Sequence, residues 1–194
     1  MLRIIQVRIP KTATTSIEAA LKFMRNKNLL TLKPHGHDQT PAILRQYTAE
    51  VKKKAIVLAS VRNPFDRLVS AYQYIVQFKK DKRNKELKYV FDYPSFRDFA
   101  IDLPKIFEKN QFFHPHTRWL YNGEKKLYNF LIRYESLEGD WNRFLKEYKL
   151  SPMPLPVQRK TKRKSWRNYY DDESMKVVHK VYEEDFRRLK YDGN

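Results

Sequence analysis

Cysteine is absent from this 194-residue chain, and the chain has no long apolar run. Without cysteine there is no disulfide framework, and a chain of this length buries enough surface to fold without one. No stretch approaches the ~20 consecutive apolar residues that a membrane-spanning helix needs. These absences exclude a disulfide-stapled module and a membrane-spanning helix. The length predicts a single domain over residues 1–194.

Acidic residues are scarce relative to basic ones. The chain has 22 aspartates and glutamates against 40 lysines and arginines, which gives a net charge of +18. Such a surface attracts polyanions: nucleic acids, anionic membranes, or sulfated and uronic-acid glycans. The charge therefore favours an anionic partner without selecting among these classes.

A hydroxyl-rich turn lies between the first apolar run and the first helical pattern. Residues 2–9 predict a buried strand, and residues 17–24 carry apolar side chains at helical spacing. The turn between them reads Pro10-Lys11-Thr12-Ala13-Thr14-Thr15-Ser16. Backbone N–H groups at a helix start attract anions, and lysine and hydroxyl groups add donors. The turn predicts a phosphate or sulfate site, with a simple capped helix as the alternative.

Glycine is missing from this turn, which separates it from the loop that binds nucleoside triphosphates. In that loop, glycines precede a lysine and a Ser/Thr at the helix start. Here Lys11 comes first and the hydroxyl residues follow it. No magnesium-binding aspartate is evident after a strand, as a kinase would require. A P-loop-type nucleotide kinase is therefore an alternative that the order of residues disfavours.

A second motif follows residues 55–61, whose continuous apolar run is typical of a parallel strand buried on both faces. The sequence Arg-Asn-Pro begins at Arg62, and Asn63 and Pro64 suit the cap and first position of a helix. The motif continues through Arg67 to Ser70, which lies two turns into that helix, and both fall on a face away from its apolar stripe. Ligands of open α/β sheets bind at the carboxyl ends of strands, which is where this motif places Arg62.

The two motifs together resemble those of the sulfotransferases that use 3′-phosphoadenosine 5′-phosphosulfate (PAPS). The resemblance is closest to the carbohydrate branch that includes heparan sulfate 2-O-sulfotransferase. It implies that Arg62 and Ser70 hold the 3′-phosphate, and that Lys11 also acts in catalysis. It implies that the first turn holds the 5′-phosphosulfate through Lys11, Thr12, Ala13, Thr14, Thr15 and Ser16. Ala13 departs from the pattern, since the family usually has glycine there.

Four of the five histidines form two His-x-His pairs. The resemblance implies that His35 is the catalytic base and His37 a supporting residue, because the related enzyme has a His-Gly-His at the equivalent place. Neutral imidazole suits proton abstraction near neutral pH. A metal site or a structural role is the alternative for these histidines. His114 and His116, with Arg118 and nearby aromatics, predict either a wall that contacts a sugar or a packed loop.

A basic segment, residues 159–167, precedes the last predicted helix, residues 171–189. Taken alone, it reads as a solvated loop or as a nuclear-localisation or nucleic-acid patch. The resemblance implies instead that residues 151–170 form a lid over the nucleotide. Its predicted donor contacts are Arg159, Lys160 and Thr161.

Strands that alternate with helices predict an α/β domain with a mostly parallel central sheet flanked by helices. With the resemblance, we expect a P-loop-like sulfotransferase fold and an enzyme that moves a sulfuryl group from PAPS to a hydroxyl group. The expected acceptor is a carbohydrate or another anionic hydroxyl compound, with no metal required and no nucleic-acid partner. A non-catalytic polyanion-binding module is a further alternative. A cytoplasmic protein of bacterial or viral type is expected, unless a membrane anchor is missing from the sequence.

Overall fold

The computed structural model describes residues 2–26, 40–78, 82–156 and 163–193. In these ranges the strands are β1 (Arg3–Val7), β2 (Ala55–Val61), β3 (Tyr121–Asn122), β4 (Lys125–Lys126) and β5 (Phe130–Arg133). The α-helices are α1 (Thr14–Asn26), α2 (Thr40–Arg45), α3 (Ala49–Lys54), α4 (Pro64–Gln77), α5 (Phe96–Ile101), α6 (Leu103–Ile106), α7 (Thr117–Leu120), α8 (Leu137–Glu147), α9 (Asp172–Val181) and α10 (Glu183–Leu189). Segments of 3₁₀ helix cover Lys82–Asp92, Tyr134–Ser136 and Trp166–Tyr169.

The chain divides into two compact units, each assembled from two segments. The sheet unit consists of Met1–Arg62 and His116–Arg159, and it contains every strand of the described ranges. The helical unit consists of Asn63–Pro115 and Lys160–Asn194. The expectation of a single domain over residues 1–194 stays a prediction.

A three-stranded parallel sheet organises the sheet unit, in the order β1-β2-β5. All seven residues of β2 are buried, which explains its unbroken apolar sequence, because a central parallel strand is covered on both faces. The short strands β3 and β4 pair separately as an antiparallel hairpin. The predicted α/β architecture with a parallel sheet flanked by helices is confirmed.

The core of the sheet unit joins the sheet to α1 and α8. Ile17 and Leu21 on α1, four residues apart and so on one face, belong to the same buried cluster as Ile4 and Leu58 of the strands. Trp141 of α8 belongs to this cluster too, and its indole N–H donates to the Met153 carbonyl at 2.7 Å. Because α1 is packed along its apolar stripe, the position of its first turn relative to β1 is fixed.

The helical unit has its own core, rich in aromatic residues such as Phe65, Phe99 and Phe113. Its first helix, α4, starts as predicted: Pro64 occupies the first turn, and the Asn63 side chain accepts the N–H groups of Phe65 and Asp66. None of the helices in the described ranges is long and apolar enough to cross a membrane.

Two elements differ from the sequence-based expectation. The predicted helix 171–189 is two helices, α9 and α10, interrupted at Tyr182, whose hydroxyl donates to the Phe113 carbonyl at 2.8 Å. Residues 127–135 have the apolar pattern of one strand, but β5 covers only Phe130–Arg133 within them. Just before β5, the Asn129 side-chain oxygen accepts the Val57 N–H, and the Asn129 N–H donates to the Val57 carbonyl. Local apolar patterning shows neither of these side-chain contacts.

Candidate functional site

The carboxyl ends of the three parallel strands meet at one edge of the sheet unit. β1 leads into the turn Pro10–Ser16, β2 leads directly to Arg62, and β5 leads to Tyr134. Parallel sheets bind ligands at this edge, because loops and helix N-termini converge there. The topology therefore brings the first predicted motif and Arg62 of the second to the same side of one sheet.

The turn after β1 has an unusual backbone. Lys11 and Ala13 have φ angles of 68° and 62°, the left-handed region that costs an L-residue roughly 1–2 kcal/mol. Where left- and right-handed residues alternate, successive N–H groups point to one side and form an anion-binding concavity. Lys11 and Ala13 are two left-handed residues separated by one position, as such a pattern requires. The glycine usual in the resembling family would adopt this φ without strain, so Ala13 makes the turn costlier.

Hydrogen bonds within this turn and to the neighbouring strands hold it in place. The Thr12 hydroxyl donates to the Ile9 carbonyl at 2.9 Å and lies 2.8 Å from the Ser60 hydroxyl of β2. Because the single Thr12 proton is already donated to Ile9, Ser60 is the donor in that second bond. The Gln6 amide donates to the Thr14 carbonyl at 3.0 Å, and the Ala13 carbonyl accepts the Ser16 N–H at 3.0 Å. These bonds offset the strain of the left-handed residues.

Exposure alternates along the turn. Thr12, Thr14 and Ser16 are buried, whereas Lys11, Ala13 and Thr15 are partly exposed. The rule for helix starts leaves the N–H groups of Ala13, Thr14 and Thr15 without an acceptor inside α1. The turn therefore offers a ligand the Lys11 ammonium, the Thr15 hydroxyl and backbone N–H groups, while the Thr12 hydroxyl serves the internal bonds.

Arg62 is 5% exposed and is held at several points within the sheet unit. Its Nη1 donates to the Lys11 carbonyl at 3.4 Å, which links it to the turn after β1. Its backbone N–H donates to Nε2 of His116, also at 3.4 Å. Its guanidinium carbon lies 3.7 Å from the centroid of the Tyr134 ring. Arg62 therefore places a buried, permanently charged group beside the turn after β1.

The two histidines of the second pair, His114 and His116, differ in burial and in their contacts. His116 is fully buried, and its carbonyl accepts the N–H groups of Trp119 and Leu120 at the start of α7. Its ring accepts the Arg62 N–H, so the contact that the structure supports for His116 is with Arg62. Arg118 is partly exposed on α7. The substrate roles of His116 and Arg118 stay predictions.

In the helical unit, the second arginine of the motif is a structural residue. Arg67 is 1% exposed and donates to the Phe112 carbonyl at 3.3 Å and the His114 carbonyl at 2.6 Å. Burial raises the pKa of Tyr182, which keeps its phenol neutral while Arg67 lies 5.3 Å from the ring centroid. Arg67 therefore fixes the segment that carries His114, a role the sequence analysis missed. The one signal was its placement on a helix face away from the apolar stripe.

Two further predicted site residues, Ser70 and His114, lie in the helical unit. Ser70 is 3% exposed on α4, and its role at the 3′-phosphate stays a prediction. His114 is partly exposed, with Nε2 3.4 Å from the Glu108 carbonyl, and its substrate role also stays a prediction.

The described end of the basic segment packs on the start of α4. Arg163 forms an ion pair of 2.5 Å with Asp66, and both side chains are largely buried. The Trp166 ring stacks on Phe65 with centroids 5.3 Å apart, and the Tyr170 hydroxyl donates to the Phe65 carbonyl at 3.0 Å. These contacts anchor residues 163–170 by ordinary packing. A closing lid over residues 151–170 stays a prediction.

Several predicted residues lie outside the described ranges: His35, His37, Arg159, Lys160 and Thr161. Within residues 2–26, 40–78, 82–156 and 163–193, no group of three or more His, Cys, Asp or Glu side chains is placed to hold a metal ion.

The model of the sulfotransferase family matches residues 2–192, nearly the whole chain. Searches of curated proteins and of solved structures gave no match.

Proposed function

The chain belongs to the sulfotransferase family, and from that membership we propose that it transfers the sulfuryl group of PAPS to a hydroxyl group of an anionic carbohydrate. Family membership itself supports an enzyme of sulfuryl transfer. PAPS as donor and a carbohydrate as acceptor are the proposed specifics. The proposed donor is supported by one observation: the turn after β1 and Arg62, each proposed to bind an anion, lie together at one edge of the same sheet.

A donor with two separate anionic groups suits this pairing. The strained turn offers N–H groups and Lys11 to one anion, and Arg62 offers a fixed guanidinium to a second. A nucleotide whose phosphates form one chain from the 5′ position needs only the first element. The arrangement therefore favours a nucleotide that carries a 3′-phosphate in addition to its 5′ anion, as PAPS does.

In the proposed reaction, the acceptor hydroxyl oxygen attacks sulfur. A new S–O bond forms while the bond between sulfur and the phosphate oxygen breaks, and 3′-phosphoadenosine 5′-phosphate leaves. The hydroxyl proton passes to a base, proposed to be His35 with His37 in support. Lys11 stabilises the charge that develops on the leaving oxygen, which is positioning and electrostatic work as in phosphoryl transfer. None of these steps uses a metal.

The acceptor is proposed from the charge of the chain. A net charge of +18 exceeds what one nucleotide requires, and an anionic acceptor chain would use the excess. His114, His116 and Arg118 remain the proposed substrate contacts.

A nucleotide titration tests the donor. We expect 3′-phosphoadenosine 5′-phosphate to bind more tightly than AMP, and more tightly than ATP, because only the first places an anion at each of the two elements. Equal affinity for AMP and its 3′-phosphorylated form would contradict PAPS as donor. Preference for ATP would favour a nucleotide kinase.

A transfer assay tests the acceptor. Labelled sulfate from PAPS is offered with a panel of glycans, phenols and proteins at several salt concentrations. Transfer to an anionic glycan that weakens as salt rises is expected, because salt screens attraction between exposed charges. Activity limited to small phenols and indifferent to salt would contradict the anionic-glycan acceptor and leave sulfuryl transfer standing.

A further inference from the structure

Arg62 is the residue on which the proposed second anion site depends, and the Tyr134 ring lies directly against it. The guanidinium carbon is 3.7 Å from the ring centroid, a stacking distance. A guanidinium is planar, and its five N–H groups point outward in its own plane. A ring stacked on its face therefore covers the cation without using any of its donors.

The backbone around Tyr134 is itself fixed. Tyr134 follows β5 directly and begins the 3₁₀ segment Tyr134–Ser136. One carboxylate oxygen of Asp140, on α8, accepts the Arg133 N–H at 2.7 Å and the Ser136 hydroxyl at 3.0 Å. The residues on either side of Tyr134 are thus tied to α8. The backbone that carries the ring is therefore held by the sheet and this carboxylate together.

Holding an arginine before a ligand arrives affects affinity. A long side chain that is ordered only on binding loses conformational freedom at that moment, which lowers affinity. A side chain already held by a ring on its face, by His116 at its backbone and by the Lys11 carbonyl at Nη1 loses less. The ring also fixes the plane in which the N–H groups lie, and so the direction from which an anion can be bound.

We propose that Tyr134 is a positioning residue for the 3′-phosphate of the donor: its ring holds the Arg62 guanidinium in the orientation that meets the anion. This inference rests on the proposed function. Tyr134 itself contacts Arg62 and acts through it.

Four proteins test the inference: the wild type, Tyr134→Leu, Arg62→Ala and the double variant. Each is titrated with 3′-phosphoadenosine 5′-phosphate and with AMP. Tyr134→Leu is expected to lower affinity for the 3′-phosphorylated nucleotide roughly 3- to 30-fold, the range of a partly desolvated cation–π contact, and to leave AMP unchanged. In the Arg62→Ala background the same change should have no further effect. No loss, or an equal loss in both backgrounds, overturns the inference.

Two further variants separate positioning from general destabilisation. Tyr134→Phe keeps the ring and should restore affinity to near the wild-type value. Tyr128→Leu removes a matched aromatic–cation contact at the other end of β5, where Lys126 Nζ lies 5.0 Å from the Tyr128 ring centroid. It should leave the preference for the 3′-phosphate intact. A loss in Tyr128→Leu equal to that in Tyr134→Leu, or a failure of Phe to restore affinity, overturns the inference.

Failure of the proposed donor is recognised separately. If wild type binds AMP and the 3′-phosphorylated nucleotide equally, PAPS is the wrong donor, and the four proteins are titrated with inorganic sulfate instead. A Tyr134→Leu loss that requires Arg62 then still supports positioning of Arg62 for an anion. The absence of that dependence overturns it.

Discussion

The sheet unit and the helical unit each bury one arginine of the same short motif, and they use it differently. Arg62 ends β2, with a ring on its face and one contact to the strained turn. Arg67, five residues later, donates to two backbone carbonyls and lies near Tyr182. Arg62 lies where ligands of a parallel sheet bind, and Arg67 supplies hydrogen-bond donors to the carbonyls of a loop. Residue type and burial are the same, so the neighbours decide the role.

The comparison extends to the two cores. The sheet unit presents its parallel strand ends, a left-handed turn and a helix start at one edge. Aromatic contacts hold the core of the helical unit together, such as those of Phe65 with Trp166 and Phe186. We therefore expect substitutions of Lys11 or Arg62 in the sheet unit to change binding or rate, and substitutions of the aromatic core residues of the helical unit to change stability.

The largest expected effect is on the rate, at a histidine within the sequence range of the sheet unit. His35→Ala is expected to lower kcat roughly 10²- to 10⁴-fold with donor affinity kept, which is what a positioned general base contributes. The measurements are kcat at saturating PAPS and titration with 3′-phosphoadenosine 5′-phosphate. His37→Ala is the paired variant. If it is inactive while His35→Ala turns over normally, the base is His37.

Lys11→Ala is expected to lower kcat roughly 10²- to 10³-fold, as when one preorganised donor to the transition state is lost. Alanine is chosen because it has the same left-handed backbone cost at this position as lysine. Lys52→Ala, on exposed α3, removes an equal charge as the control. Wild-type turnover of Lys11→Ala with saturating PAPS would refute its role at the leaving oxygen.

The two buried arginines give the most direct test of the comparison. Arg62→Ala should weaken binding of 3′-phosphoadenosine 5′-phosphate by about 2–3 kcal/mol, the value of lost charge-assisted hydrogen bonds. Arg67→Met should lower the free energy of unfolding by about 2–4 kcal/mol, because two partly buried carbonyls lose a charged donor. Titration and urea unfolding are measured on both variants. A larger binding defect in Arg67→Met than in Arg62→Ala would reverse the assigned roles.

A smaller effect is expected at Ser60, which donates to the Thr12 hydroxyl and ties the turn to β2. Ser60→Ala should lower the free energy of unfolding by about 1 kcal/mol, as for one neutral hydrogen bond. The Thr12 bond to Ile9 remains in that variant, so the turn should keep its shape. Urea unfolding measures the change. A complete loss of nucleotide binding in Ser60→Ala would show that this hydroxyl does more than tie the turn.

The smallest effect is a pH dependence in the helical unit. The Ser174 hydroxyl and N–H, followed by the Arg97 guanidinium, hold the pKa of Asp171 well below its usual range. Between the folded and unfolded pKa values the unfolded state binds more protons. The stability that Asp171 contributes is therefore complete above its unfolded-state pKa of about 3.9, and it is lost as pH falls toward its folded-state pKa.

Urea unfolding across that acidic range checks the Asp171 contribution. Asp171→Asn, which cannot titrate, should flatten the acid dependence slightly. The effect should be modest, because the carboxylate is exposed and solvent screens it. An unchanged acid slope in Asp171→Asn would assign the loss of stability to other carboxylates.

Elements with strong periodicity were predicted well because one local pattern determines each of them. The run 55–61 is β2 residue for residue, and Asn63 caps α4 as its sequence indicates. The helix predicted over 171–189 was wrong at Tyr182, whose backbone leaves helical geometry and whose hydroxyl donates to the Phe113 carbonyl. Helix periodicity contains no information on that partner.

The features of the candidate site also separate into those that local sequence predicts and those that depend on distant contacts. The sequence alone determined the residue types of the turn after β1, the place of Arg62 after a buried strand and the excess of positive charge, since each follows from neighbours along the chain. Only the tertiary structure decided that Thr12 bonds to Ser60, that Tyr134 stacks on Arg62 and that Arg67 supports a loop. The physical reason is that these contacts join residues from 45 to more than 70 positions apart, and strand order and packing alone bring them together.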